Sequence, residues 1–106
     1  MAKIVWNDLV SRQLESHLDY ALEEFGRKCV RNWYRDILRI ESRLTLQPLS
    51  YPKISILEHR DKVYHGATIL KSFQLIHYYD PDIDTVYIDA IWDMRMNPIR
   101  LDQMIK

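Results

Sequence analysis

Between His59 and His65 the chain sets two imidazoles beside Arg60 and Lys62, and a third, His77, follows twelve residues later. Imidazole exchanges protons near neutral pH, and neighbouring cations disfavour its charged form, which would suit His65 to act as a neutral base. Three histidines could in principle serve nuclease or metal chemistry. Ligand spacing such as His-Glu-x-x-His is missing, however, so no metal site is expected. His77 stands in an aromatic run and reads as a packed, hydrogen-bonded ring. Asp80, Asp82 and Asp84 imitate the opening of a calcium loop, but Thr85 and Ile91 occupy the positions where Gly and Glu are needed, so the segment reads as a hairpin loop. Gly-rich phosphate loops, a Gly-x-Ser-x-Gly elbow and paired Cys motifs are also missing, so no cofactor is expected.

A second pattern is charge at helical spacing. Arg27, Arg31, Arg35, Arg39 and Arg43 recur every fourth residue, forming a stripe that drifts by roughly 40° per step around a helix. Glu15, Asp19 and Glu23 repeat the pattern upstream. The stripes either face each other as salt-bridge partners or both face outward. Outward arginines would suit phosphates or the acidic segment of a partner.

The elements that must position these residues follow from periodicity. Lys3 to Trp6 is a short strand, and Asn7 or Asp8 caps a helix whose apolar face is Val10, Leu14, Leu18, Ala21, Leu22 and Phe25. Gly26 suits the left-handed end of that helix. A second helix, from about Arg27 to about Leu46, buries Val30, Trp33, Tyr34, Ile37, Ile40 and Leu44 until Gln47-Pro48-Leu49 stops it. The tight link makes the pair an antiparallel hairpin. Three alternating runs then follow, Val63 to Leu70, Phe73 to Asp80 and Thr85 to Asp93. Their short connections predict an antiparallel meander. Strict alternation would put Val86, Ile88, Ala90 and Trp92 on one face of the last strand and Tyr87, Asp89, Ile91 and Asp93 on the other.

With 106 residues, 47% of them apolar, the chain is expected to form one α+β domain, residues 1–106. Fifteen basic and fifteen acidic residues balance, so there is no net field to draw the molecule onto nucleic acid. No apolar run approaches the ~20 residues needed to cross a bilayer, and the N-terminus lacks a signal peptide's apolar core, so a cytoplasmic protein without membrane contact is expected. The single Cys29, in a helical pattern, reads as a packed thiol.

The order strand, helix, helix, strands, with Leu57-Glu58-His59-Arg60, Tyr64-His65, Phe73-Gln74-Leu75 and the ending Ile91-Trp92-Asp93-Met94-Arg95-Met96-Asn97-Pro98, resembles the RelE/ParE superfamily of bacterial toxins. The resemblance implies a β-α-α-β-β-β fold and a type II toxin–antitoxin role, as in plasmid stabilisation, with a cognate antitoxin as partner. It offers two modes of growth inhibition: cleavage of ribosome-bound mRNA, as in RelE members, or inhibition of DNA gyrase by binding, as in ParE members. An alternative is an inert member that survives as a protein-interaction module. Cleavage would need a base, an acid and cations around the phosphate, and the resemblance points to Arg60, His65 and Arg95 as the active-face candidates. Gln74 stands where the family pattern carries an arginine, and a neutral amide cannot neutralise a phosphate. That departure leans the expectation toward binding without hydrolysis. The Arg27 to Arg43 stripe is the candidate contact for an acidic antitoxin segment.

Overall fold

Asn7 begins the first helix by accepting a hydrogen bond from the Leu9 amide through its side chain, while Asp8 supplies negative charge to the first turn. The computed structural model describes residues 1–105. Its elements run β1 (Lys3–Trp6), α1 (Asp8–Phe25), α2 (Arg27–Leu46), a short 3-10 turn (Ser55–Leu57), β2 (Tyr64–Ile69), β3 (Phe73–Asp80), β4 (Thr85–Asp93) and α3 (Pro98–Met104). This is the expected α+β layout, with a short C-terminal helix added. Gly26 joins the two long helices at φ 83°, a left-handed geometry that relieves the backbone without a Cβ clash.

The four strands form one sheet in the order β1-β4-β3-β2. β2, β3 and β4 pair antiparallel as a meander, and β1 lies parallel to β4 at the edge. The β2–β3 hairpin turns through Leu70 and Lys71, both at positive φ, and the β3–β4 loop closes with Asp82 N–H donating to the Asp80 carboxylate. That second loop is the hairpin expected of Asp80 to Asp84.

The hairpin of α1 and α2 covers one face of the sheet. Val10, Leu18, Ala21, Trp33, Ile37, Ile40 and Leu44 meet Ala67, Ile69, Leu75, Val86, Ile88 and Ile91 there. The other face carries a second, smaller core in which Leu57 and α3's Leu101 and Ile105 pack on Tyr64, Ile76, Ala90 and Trp92. Asn97 caps α3 by accepting from the Ile99 amide, and Pro98 starts it, a pairing suited to a helix N-terminus.

Strict alternation in β4 does not survive. The β3–β4 register shifts between Ile76 and His77: His77 pairs with Ile88 and Ile76 with Ala90, leaving Asp89 as the extra residue of a β-bulge. Because the side-chain period is two, one extra residue exchanges the faces beyond it. Val86, Ile88 and Ile91 therefore meet the hairpin, whereas Ala90 and Trp92 join the opposite core. Three other residues expected inside are not: Tyr34, Leu22 and Phe25 are exposed, at 51%, 48% and 67%. Tyr34 and Leu22 fall at the margin of their helices' apolar arcs, and Phe25 is the last residue of α1, beyond the sheet's cover.

Candidate functional site

On the second face three tyrosines form a row across adjacent strands, running from the buried Tyr64 of the smaller core out to the half-buried Tyr78 and Tyr87. Tyr64 of β2 pairs with Tyr78 of β3, which pairs with Tyr87 of β4. Equal parity puts all three on the face away from the hairpin. The Tyr64 and Tyr78 rings meet edge-on with centroids 5.6 Å apart, and Tyr78 and Tyr87 stack at 5.1 Å and 22°. Lys62, in the loop before β2, places Nζ 4.3 Å above the Tyr78 ring centre and donates to Tyr78 Oη at 3.3 Å. Tyr64 Oη donates to Asp89 Oδ2 at 3.4 Å. Asp89 is the bulge residue and, two residues after Tyr87, shares its face by alternation; the register shift exchanges only the faces beyond it.

Electrostatics hold the protons of Lys62 and Tyr64 in place at neutral pH. The hydrogen bond to Tyr78 raises the Lys62 ammonium above its ordinary pKa, with smaller support from Asp89. Burial, reinforced by the Asp89 charge, raises the Tyr64 phenol, which stays an O–H donor. The cluster offers one cation, stacked π faces, a phenolic donor and a carboxylate. Such a surface can hold a partner. A cleft of about 260 Å³ adjoins it, lined by Lys53, Ile54, Leu57, Arg60, Lys62 and Tyr64 among others.

The three active-face candidates lie in three different places. Arg60 borders that cleft, but Asp102 of α3 holds it: Nε reaches Asp102 Oδ1 at 3.0 Å, and a terminal nitrogen bonds both the carboxylate and the Asp102 carbonyl. His59 Nε2 lies 3.1 Å from the same carboxylate. His65, next to Tyr64 along β2, faces the other side of the sheet and is buried. Its Nδ1 donates to the Tyr51 carbonyl at 2.6 Å, and its ring lies 6.0 Å from that of His77, its cross-strand partner. Arg95 follows β4 on the hairpin side, where it grips Asp93 through Nε and a terminal nitrogen at 3.0 and 2.9 Å. These bonds hold the Asp93 carboxyl below its ordinary range. Arg95 rims a cleft of about 300 Å³ with Tyr20, Phe25, Trp33 and Phe73, where burial lowers the His17 pKa against the opposing pull of Asp93. Gln74 faces the tyrosine side, with its amide lying over Gly66, where an added Cβ would come within 2.5 Å of it.

The five arginines of α2 are all exposed. Arg39 bonds Asp36 at 3.0 Å, and Arg43 bonds Ser50 and lies 4.2 Å over the Tyr51 ring. Among the described residues, no carboxylate of α1 pairs with any of them. Both stripes therefore face outward. Among the described residues, no three His, Cys, Asp or Glu side chains converge where they could hold a metal ion, and no helix is long and apolar enough to cross a membrane.

Sequence reasoning used Lys62 only as a cation beside His65 and did not single out Tyr78, Tyr87 or Asp89 as site residues. The parity of Tyr64, Tyr78, Tyr87 and Asp89 was available in the alternating runs; the sides taken by Ala90, Ile91 and Trp92 were not, because they depend on the bulge. No protein-family model matches the chain, and no curated protein matches it either.

Proposed function

We propose that this chain is the toxin of a bacterial type II toxin–antitoxin module, held inactive in the cytoplasm by a cognate antitoxin, and that it stops growth by binding DNA gyrase. The RelE/ParE part of this reading is supported by the element order and by the meander with β1 laid parallel on its last strand. Binding rather than cleavage is supported by one observation: Arg60, His65 and Arg95 occupy three separate places, each already engaged by another group. A base, an acid and a cation cannot act on one phosphate from there. The outward arginines of α2 favour an antitoxin with an acidic segment.

A second reading has its own support. Lys62 over stacked tyrosines is the combination of cation and π faces that single-stranded nucleic acids favour, which keeps ribosome-bound mRNA as a target.

Induced expression of the chain in a bacterium, with and without the product of the adjacent reading frame, tests the proposal. Arrest relieved by that product, loss of supercoiling by purified gyrase and intact transcripts are the expected results. Codon-positioned mRNA cuts would move the assignment to the second reading. Normal growth with folded protein would leave an interaction module.

A further inference from the structure

The outer layer of the helical hairpin carries two charge stripes of opposite sign, side by side. Glu15, Asp19 and Glu23 on α1 and Arg27, Arg31, Arg35 and Arg39 on α2 are all exposed, each at four-residue spacing on the arc opposite the buried one. Arg12 ends the acidic stripe above Glu15, so the matched stretch is Glu15 to Glu23 against Arg27 to Arg39. Neighbouring helices on one sheet cannot turn these stripes toward each other without exposing their apolar faces, and no ion pair joins them among the described residues.

We propose that this layer is a self-complementary interface for a second copy of the chain, with α1 of each protomer lying across α2 of the other. A two-fold axis running along the hairpin, between its helices, exchanges left for right while keeping height. It therefore lays each acidic stripe on a basic one. Register supports the match. Counting equally along both helices from the turn at Gly26, Glu23 is level with Cys29, between Arg27 and Arg31. Asp19 is level with Trp33, between Arg31 and Arg35, and Glu15 with Ile37, between Arg35 and Arg39. Every carboxylate thus faces a gap between two guanidinium groups, and the two-fold doubles the set.

Apolar contact is available within the same layer. Leu38, 62% exposed, lies inside the basic arc, and Leu22 and Tyr34 flank the two stripes. Two helices of this length present a layer roughly 27 Å long and 20 Å wide. With side-chain relief, that is of the same order as the ~800 Å² per partner of an ordinary dimer interface. The balanced charge, fifteen of each sign, leaves no net repulsion between copies. The proposal does not rest on the toxin reading. Under that reading, the antitoxin's acidic segment and the second copy would compete for the same arginines.

Sedimentation equilibrium of the full chain is the test, with helicity of each variant checked by circular dichroism. The wild type should be a dimer at low salt, its dissociation constant rising at least about tenfold between 0.05 and 0.5 M salt as screening shortens to a few ångströms. The doubly substituted Arg31→Glu/Arg35→Glu should be monomeric, and so should Glu15→Arg/Asp19→Arg. An equimolar mixture of the two variants should dimerise again, because each then offers what the other lacks. A wild type that stays monomeric at low salt and high concentration overturns the proposal. So does a dimer that either variant forms as tightly as the wild type, or a mixture that fails to restore association.

Discussion

At the scale of single residues, the buried histidine pair is the least comfortable feature of the molecule. His65 and His77 each donate Nδ1–H to a backbone carbonyl, those of Tyr51 and Leu75, and each leaves Nε2 buried without a partner. Burial pushes His77 down to about 4, with the neighbouring His65 adding to the shift. The folded pKa lies below the unfolded one, so the unfolded chain binds the proton more readily. Stability is therefore intact above the unfolded value near 6.5 and is lost as pH falls from there toward about 4. The loss should reach ~3 kcal/mol, at 1.36 kcal/mol per unit. Urea titrations at pH 7, 5.5 and 4.5 should show that loss in the wild type and a flatter profile in His77→Leu; parallel profiles would remove His77 as the cause. Lys62 makes a different prediction. Lys62→Ala removes the cation above Tyr78 from an exposed loop, so unfolding free energy should change by less than ~0.5 kcal/mol. On the proposed toxin reading, growth arrest should weaken if the tyrosine row meets the target; unchanged arrest would mean the target contacts another surface.

At the scale of elements, the bulge in β4 and the helix α3 organise the second face. Deleting Asp89 would join Ile88 directly to Ala90 and give a regular ladder in which Ala90 and Trp92 stay on the second face and Ile91 on the hairpin side. Both cores would stay matched while the carboxylate that accepts from Tyr64 is lost, so a loss of no more than about 1–2 kcal/mol, seen in urea denaturation, is expected. A loss of several kcal/mol would mean that the ladder beyond Ile88 cannot close without the extra residue. α3 is held by Leu101 and Ile105 in the smaller core and by the clasp of Arg60 on Asp102. Leu101→Ala should cost roughly 2–4 kcal/mol of local stability. Amide exchange should accelerate over residues 55–57 and 98–105, while β3 and β4 keep their protection; uniform acceleration would show that α3 unfolds only with the whole domain.

At the scale of the whole molecule, the sheet is a partition between two surfaces with different chemistry. The hairpin side presents charge stripes, exposed apolar residues and the cleft rimmed by Arg95; the opposite side presents the tyrosine row, Lys62 and Asp89. Separation of this kind lets one partner occupy each side. In the charge-swap experiment, the monomeric variants should therefore keep the tyrosine row intact. Their growth arrest should match the wild type if that row meets the target, which an induction assay at equal expression would read. A loss of arrest in both variants, restored by expressing them together, would instead tie the activity to the dimer.

The linear chain determined the elements and their order, because apolar spacing, Gly26, the Asn7 cap and the short turns act over a few residues. It also marked His77 as a packed ring, a matter of close neighbours. Tertiary structure alone decided which candidates could meet. His65 stands beside Tyr64 in sequence yet faces the opposite side of the sheet, since alternation separates neighbours that a list of residues places together. The sides taken by Ala90, Ile91 and Trp92 came from one unpaired residue in a ladder, which depends on the partner strand and leaves no local trace. The outward turn of the charge stripes likewise followed from the sheet claiming the apolar arcs of both helices, a choice made by burial over the whole domain rather than by any pair of charges.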